Sequence, residues 1–308
     1  MKPTSAAILI TLLVTVISVV SIWFFPSIQD FMATNTMWNG IKVFTDKSHA
    51  AVINSLSDLP DPPEEAVLVA IPYIEYTGQD LAKVKQFVEG GGTLILMDDF
   101  GFGNDVLAYL GIDIRFTGKP LLDPLFSYRK QVFPRITDFS PEVQMAGTTV
   151  AVLNHATSLI GVNPVDQIAW SSPTSFLDTN ENSKQDPDEQ QGPLSVAARR
   201  HLGKGTVYIL ADPSIIIGGM INRDDNYKFL EFLTGQPDKP GKLLFDAGVK
   251  VLVIVEPCQS VPENHLLEKP LLTQHRLEEG GIFQGIGRHV GHQMTQFVNP
   301  FRDGMLER

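Results

Sequence analysis

The stretch Ala66–Asn104 constrains the fold of this chain more than any other part of the sequence. It reads as a strand, a helix and a second strand, followed by a turn with two adjacent acids and several glycines. Val67–Ile74 and Thr93–Met97 are largely apolar without clean alternation, which is typical of strands covered on both faces. Two parallel strands joined through a helix favour a right-handed crossover. We therefore expect a layered α/β fold with a mostly parallel sheet flanked by helices.

The helix between these strands has signals at both ends. Thr77 is a capping residue, and Asp80, three positions later, can accept a hydrogen bond from the amide of the cap. Gly90, Gly91 and Gly92 end the helix, because glycine adopts the left-handed conformation that helix ends require.

Other periodic segments predict further elements. Strands are expected at Ala50–Leu56, Ile112–Phe116, Thr149–Asn154, Gln167–Ser171, Leu194–Arg199 and Thr206–Leu210, with one more strand or hairpin in Lys242–Val255. Helices are expected from near Asn35 or Thr36, at Asp105–Leu110 and at Asn226–Leu233. Gly203-Lys204-Gly205 predicts a hairpin, and Pro120–Pro141 is expected to be irregular.

The charge-free run Ala6–Phe25 predicts a transmembrane helix, since a bilayer core takes about 20 helical residues. Lys2 precedes the run, and positive charge tends to stay in the cytoplasm. We expect a single-pass protein of the cell membrane, with its amino terminus cytoplasmic and its main domain extracytoplasmic. The alternative is a cleaved signal peptide, whose apolar core is shorter, about 7–15 residues, and ends at small residues. This run ends at bulky Phe25.

Composition divides the chain and limits its partners. Residues 1–26 form the expected anchor, 27–240 the α/β domain and 241–308 a polar, partly irregular extension. A net charge of −11 argues against nucleic acid. The single cysteine, Cys258, excludes an internal disulfide, and His289 and His292 lack the further ligands of a zinc site. The expected partners are the bilayer and an envelope protein or glycan.

The acidic turn after the second strand predicts a ligand cleft, because ligands of open α/β sheets bind outside the carboxyl ends of strands. A later strand end and a later helix start carry similar polar residues. The candidate cleft residues are Asp98, Asp99, Gly101, Gly103, Asn104, Asp212, Ser214, Asp225 and Asn226. Alternatively, the acids cap helices and the glycines only form turns. Asp98, Asp99 and Asp212 together could instead hold a divalent metal.

The loop Asp178–Glu189 predicts a calcium site. Oxygen-bearing side chains fall at loop positions 1, 3, 5, 9 and 12, and position 7 offers its carbonyl, as in an EF-hand loop. The predicted ligands are Asp178, Asn180, Asn182, Lys184, Asp186 and Glu189. Ser183 stands where glycine is usual, and neither flank reads as a helix. The alternative is a hydrophilic loop of turn-forming residues.

Four segments carry a family resemblance: MDDFGFGNDVLAYLG, SFLDTNENSKQDPDEQQGP, GKGTVYILADPSIIIGGMI and DDNYKFLEFL. They resemble a domain-of-unknown-function family of prokaryotic membrane-anchored proteins whose fold is similar to class I glutamine amidotransferases. The resemblance covers about Trp38 to Gly235 and implies a flavodoxin-like sheet with helices on both faces. Amidotransferases of this class use a Cys–His–Glu arrangement, and the matched region has no cysteine.

The missing nucleophile favours a non-catalytic binding or assembly module of the cell envelope, with a calcium-ordered loop. The alternative function is a metal-dependent envelope hydrolase that uses Asp98, Asp99 and Asp212.

Overall fold

The computed structural model describes residues 3–24, 29–63, 65–235 and 242–247. All of them belong to the first of the chain's two units, Met1–Leu252. The predictions for the carboxyl-terminal extension, including Cys258 and the histidine pair, lie outside the described residues.

The described helices and strands follow one another along the chain. The helices are α1 (Pro3–Phe24), α2 (Lys42–Ser48), α3 (Gly78–Glu89), α4 (Asn104–Tyr109), α5 (Pro141–Met145) and α6 (Asn226–Thr234), with 3-10 turns at Leu56–Asp58 and Pro213–Ile216. The strands are β1 (Ala51–Ile53), β2 (Val67–Ala70), β3 (Thr93–Met97), β4 (Arg115–Phe116), β5 (Leu121–Leu122), β6 (Arg135–Ile136), β7 (Asp138–Phe139), β8 (Ala151–Val152), β9 (Leu159–Ile160), β10 (Gln167–Trp170), β11 (Phe176–Leu177), β12 (Ser195–Leu202), β13 (Gly205–Leu210) and β14 (Leu243–Asp246).

One central sheet organises the α/β domain. Its main path runs β1-β14-β2-β3-β13-β12-β10-β7, and β9 and β4 extend from β12. The first five strands of this path are parallel, and the strands beyond β13 are antiparallel. The expectation of a mostly parallel sheet is therefore right for one half and wrong for the other. The predicted hairpin at Gly203, which has φ +60°, reverses the chain between β12 and β13 and causes the change.

The parallel half is aligned so that its strands end together. Val67 of β2 pairs with Thr93 of β3, and Thr93 pairs with Thr206 of β13. Leu94 and Leu96 are completely buried, as expected for a central strand. The carboxyl ends of β2, β3 and β13 consequently meet at one edge of the sheet.

Helix α3 has the predicted ends. Thr77 and Asp80 form a capping box, with the Asp80 amide donating to the Thr77 hydroxyl over 3.2 Å. The helix ends at Glu89, and Gly91 follows with φ +118°. Gly92 is also required for close packing, since a Cβ there would lie 2.5 Å from the Phe87 ring.

Helix α1 covers most of the predicted anchor. Several of its apolar side chains are exposed, including Ile8, Leu12 and Val16. Within the described part of the chain, no helix is found to be long and apolar enough to cross a membrane.

The helix expected from near Asn35 is a wrong prediction, because the buried Asn35 side chain holds a loop instead. Its Nδ2 donates to the Gln29 carbonyl over 2.8 Å, and its Oδ1 accepts from the Met37 amide over 2.8 Å. These bonds compete with helical pairing. The helix begins at Lys42.

Pro120–Pro141 is also more ordered than expected, since β5, β6 and β7 lie within it.

Candidate functional site

Polar side chains gather where β2, β3 and β13 end. Asp98 and Asp99 follow β3, and Asp212 lies two residues after β13. The Asp98 amide donates to the Leu210 carbonyl over 3.1 Å, which joins the two strand ends. We name the group the strand-end cluster; its members are Tyr73, Asp98, Asp99, Asn154, Asp212 and Ser214.

Asp98 organises the glycine turn that follows it. Its Oδ1 accepts from the Phe100 amide over 2.8 Å, and its Oδ2 accepts from the amides of Gly101 and Gly103 over 3.0 and 2.6 Å. Burial raises the pKa of Asp98 to about 6, and the hydrogen bonds from these amides oppose the rise. The two glycine amides therefore bind Asp98, in contrast to the expectation that they face a ligand.

Asp212 is completely buried and joins two chain segments. Its Oδ1 accepts from the Ser214 amide over 2.7 Å, and its Oδ2 accepts from the Asn154 amide over 2.8 Å. Burial raises the pKa of Asp212 to about 7, against the effect of both hydrogen bonds. This carboxyl therefore changes charge near neutral pH.

Asp99 differs from both neighbouring acids because its Oδ1 is buried and has no hydrogen-bond partner in the protein. Burial raises its pKa well above the ordinary value, and the nearby charges of Asp98 and Asp212 raise it further. The protonated, neutral form of Asp99 is therefore favoured.

Two more buried polar atoms near Asp212 have no hydrogen-bond partner in the protein: Ser214 Oγ and Asn154 Nδ2. Ser214 is completely buried and Asn154 is 1% exposed. Each belongs to a residue whose amide donates to Asp212. Buried polar atoms nearly always have a partner, so these two atoms and Asp99 Oδ1 indicate a place for water or a ligand.

The electrostatics of the strand-end cluster are acidic. Burial raises the pKa of Tyr73, and the charges that raise it further are those of Asp99, Asp30, Asp98 and Asp212, in that order. No basic group acts on Tyr73 or Asp99 among these causes. Ionised Asp98 would repel an anionic ligand, whereas a neutral ligand whose groups both donate and accept hydrogen bonds matches the cluster.

The structure brings together only part of the predicted cleft. Asp98, Asp99, Asp212 and Ser214 belong to the cluster. Asn104 instead exchanges two hydrogen bonds with the backbone of Phe116, at 3.0 and 2.9 Å.

Asp225 and Asn226 have structural contacts away from the cluster. The Asp225 carboxylate accepts from Lys228 Nζ over 2.7 Å and from the Thr149 hydroxyl over 2.7 Å. The hydrogen bond from Lys228 is the largest cause that holds the pKa of Asp225 far below its usual range. Asn226 pairs with both backbone groups of Val152, so it joins α6 to β8.

Tyr73, Asn154 and His155 are members or neighbours of the site that the sequence analysis missed. Tyr73 and Asn154 lie at the ends of predicted strands, the same signal that identified Asp98. His155 Nδ1 lies 2.7 Å from Asn154 Oδ1, and burial, with the charge of Lys130, lowers the pKa of His155 to about 4. This imidazole is therefore neutral at physiological pH.

The predicted calcium loop is coiled around its own oxygen-bearing side chains. Asp178 at position 1 accepts from the amides of Asn182 and Ser183 over 3.0 and 2.8 Å. Nδ2 of Asn180 and Nδ2 of Asn182 both donate to Asp186 Oδ2, at 2.8 and 2.6 Å. Hydrogen bonds therefore link the residues at loop positions 1, 3, 5 and 9.

Two further features match a calcium loop. Ser183 has φ +63°, the left-handed conformation that favours the glycine usually found at this position. Asp178 and Glu189, the first and last acids, are 2% and 7% exposed, whereas most residues between them are exposed. Glu189 Oε1 accepts from the Thr179 amide over 2.7 Å.

The side-chain amides of Asn180 and Asn182 point their nitrogens at Asp186. The residues present fit calcium if both amides turn so that their oxygens face the centre of the loop. In the described ranges, no group of three or more His, Cys, Asp or Glu side chains is arranged to hold a metal ion. This holds for the calcium loop and also for the strand-end acids.

The fold and site define a mixed α/β domain with an acidic cluster at the carboxyl ends of its parallel strands. The chain belongs to the family described as Domain of unknown function (DUF4350), whose model matches residues 33–234. No curated protein matches the chain.

Solved structures show distant likenesses. The mmIFT52 N-terminal domain is 15% identical with a TM-score of 0.43, over 54% of this chain and 76% of that chain. A β-galactosidase from Bacillus circulans sp. alkalophilus is 13% identical with a TM-score of 0.29, over 53% of this chain and 22% of the enzyme. An exo-β-1,4-mannosidase from Opitutaceae bacterium strain TAV5 is 11% identical with a TM-score of 0.29, over 57% and 26%. This chain thus spans about a quarter of either glycosidase.

Proposed function

We propose that this protein is a membrane-anchored, extracytoplasmic, non-catalytic binding module of the cell envelope, whose strand-end cluster binds a donor-rich ligand such as a glycan. The observation that carries the proposal is the group of three buried atoms without hydrogen-bond partners, Asp99 Oδ1, Ser214 Oγ and Asn154 Nδ2. Leaving such atoms unsatisfied costs about 1–3 kcal/mol each, and a bound ligand offsets that cost.

The chemistry of the cluster favours hydroxyl groups over anions. A sugar hydroxyl both donates and accepts, so it can donate to a carboxyl oxygen and accept from Asn154 Nδ2. The half-buried Tyr73 and the partly exposed rings of Phe100 and Phe102 add aromatic surface beside these acids. Such rings pack against the apolar faces of sugars.

The absence of a reactive thiol supports binding over amidase chemistry. The single cysteine, Cys258, lies outside the family match. The parallel strands with their ligand-facing ends are consistent with an amidotransferase-like, flavodoxin-like origin for this half of the sheet.

In this proposal the membrane anchor is Ala6–Phe25, which contacts the bilayer. The run carries no charge, and exposed apolar side chains such as Ile10 and Leu13 lie along α1. The preceding Lys2 favours a cytoplasmic amino terminus.

Calcium orders the loop Asp178–Glu189 in this proposal. The loop concentrates five acids and one lysine, and Asp178 and Glu189 are both buried, so a divalent cation would relieve their repulsion. Calcium outside the cell binds extracellular modules with Kd of about 10⁻⁴–10⁻³ M.

The test is calorimetric titration of the full chain in detergent with N-acetylglucosamine oligosaccharides. Ser214→Ala removes a hydroxyl that has no partner, so we expect unchanged or higher stability together with about 3–10-fold weaker binding. Asp105→Asn is the control, since Asp105 is an exposed acid in α4. Equal affinities in the wild type and Ser214→Ala, or no binding at all, would contradict the proposed site and ligand class.

A further inference from the structure

A hairpin on the antiparallel side of the domain carries an unusual surface, which we name the Tyr128 hairpin (residues 125–135). The Tyr128 amide donates to the Phe133 carbonyl over 2.8 Å, and the Arg135 amide donates to the Phe126 carbonyl over 2.8 Å. A bridge between Ser127 and Pro134 lies between these bonds. The two arms are therefore held in fixed register.

The base of the Tyr128 hairpin, where its first arm begins, is apolar and exposed. Leu125 is 73% exposed and Phe126 is 51% exposed. The completely buried Asp123 holds this base in place, because its Oδ1 accepts from the amides of Leu125 and Phe126 over 3.1 and 2.8 Å. The hydroxyl of Thr174 donates to the same oxygen over 3.0 Å. The structure thus fixes two large apolar side chains toward solvent.

Three arginines surround the ring of Tyr128. The guanidinium carbons of Arg129, Arg135 and Arg223 lie 5.2, 5.8 and 5.1 Å from the ring centre. Arg223 Nη1 also donates to the Tyr128 hydroxyl over 2.9 Å. Cation–π contacts of this kind keep the positive charges together at one place.

The charge of this surface is opposite to that of the whole chain. The acid paired with these arginines is Asp224, whose Oδ2 lies 3.4 Å from Arg135 Nε. The chain as a whole has a net charge of −11. The positive charge is local, since the turn of the hairpin also contacts the acidic loop Asp178–Glu189: Gln131 Nε2 donates to the Ser183 carbonyl over 3.0 Å. At physiological salt, charges more than about 8 Å apart are largely screened, so the arginines around Tyr128 act on groups that approach them closely.

We propose that the Tyr128 hairpin is a second membrane contact, in which Leu125 and Phe126 enter the interface of a bilayer and the three arginines bind lipid phosphates. Guanidinium groups bind phosphate oxygens in pairs, and a tyrosine with its polar tip is favoured at the level of the headgroups. Exposed apolar side chains beside basic residues are the pattern of interfacial anchors. The contact is independent of the strand-end ligand.

The experiment places an environment-sensitive fluorophore at the apolar base of the hairpin, in the full-length protein in vesicles. Phe126→Cys is labelled in a Cys258→Ser background, and Val165→Cys is the matched control, since Val165 is an exposed apolar residue (84%) in another loop. Brominated phosphatidylglycerol or phosphatidylcholine quenches any probe that enters the bilayer, and aqueous iodide quenches any probe outside it.

We expect bromolipid quenching at position 126 to exceed that at position 165 several-fold in phosphatidylglycerol vesicles. Arg129→Gln removes an exposed guanidinium that lies 5.2 Å from the Tyr128 ring. It should weaken the contact of the hairpin with the vesicle about fivefold, the effect of one basic residue near an anionic surface. Inorganic phosphate at millimolar concentration should compete weakly. Equal quenching at both positions, or iodide access at position 126 in both lipids, overturns the proposal and leaves a protein partner for this surface.

Discussion

The Tyr76 hydroxyl donates a hydrogen bond to Oδ2 of Asp246 over 2.6 Å. The two residues are far apart in sequence, and the bond ties β14 to the loop that follows β2. Burial raises the pKa of Tyr76, and the charge of Asp246 raises it further, so the phenol stays protonated and remains a donor.

Tyr76→Phe should therefore destabilise the domain by about 1–3 kcal/mol, because it removes the donor from a charged acceptor. Urea unfolding of the full chain in detergent, followed by fluorescence, measures the change. The control is Tyr227→Phe, since the Tyr227 hydroxyl donates to Lys47 at an exposed site over 3.2 Å. A loss no larger than that of the control would contradict the role of this bond.

The stability of the domain should fall as pH rises from about 4 to about 7, because the raised pKa values of three buried acids outweigh the lowered pKa of His155, which acts in the opposite direction. The folded pKa values of Asp98 and Asp212 are raised, to about 6 and about 7, and that of Asp99 is also raised. The unfolded chain therefore releases these protons at lower pH than the folded chain does. The stability that each group contributes is complete below its unfolded-state pKa and is lost as the pH rises to its folded-state pKa.

The measurement is the free energy of unfolding at pH 4.5, 6 and 8. Asp99→Asn removes one of the three titrating groups, and Asp99 Oδ1 has no hydrogen bond to lose. The free energy of unfolding of this variant should therefore depend less on pH than that of the wild type. A wild-type free energy of unfolding that rises between pH 6 and 8, where His155 contributes little, would show that the carboxyls are not buried as the structure places them.

Calcium should stabilise the protein, because it binds the folded loop and not the unfolded chain. With a Kd of about 10⁻⁴–10⁻³ M, calcium at ~1 mM adds about 0.4–1.4 kcal/mol. Thermal melting with calcium or with a chelator measures the effect, and Glu189→Gln should abolish it. Asp188→Asn, which lies in the same loop outside the ligand positions, should keep it. A calcium response that Glu189→Gln leaves intact would place the ion elsewhere.

Gly203→Ala should cost more stability than Gly111→Ala, although both glycines have positive φ, +60° and +71°. A Cβ at Gly203 would lie 2.7 Å from Glu89 Cα, whereas a Cβ at Gly111 would meet nothing within 4 Å. Gly111→Ala therefore reports conformational strain alone, about 1 kcal/mol, and the clash adds to it at Gly203. Equal losses in urea unfolding would mean that the hairpin moves away from α3.

The part of the fold that could be predicted from sequence has strong local signals. Thr77, Asp80 and the glycines after Glu89 define α3, and β3 was predicted with its observed bounds. In the antiparallel half, β10, β12 and the hairpin at Gly203 also have local signals and were predicted. Strands as short as β7 and β9 could not be predicted, because they have no periodicity and form only through distant pairing.

The candidate site could be predicted only in part for the same reason. A strand-end acid such as Asp98 can be recognised locally. The approach of Asn154 to Asp212 depends on how the chain between them crosses the sheet, and no local pattern encodes that path.

The position of β14 in the sheet has a consequence for biosynthesis. β14 lies between β1 and β2, although it leaves the ribosome after every other described strand. Until residue 246 emerges, β1 lacks its pairing with β14, and the side of β2 that pairs with β14 presents unpaired backbone groups. A nascent chain halted at the end of the family match, residue 234, would hold an open sheet, so the last strand to be synthesised completes the interior of the domain.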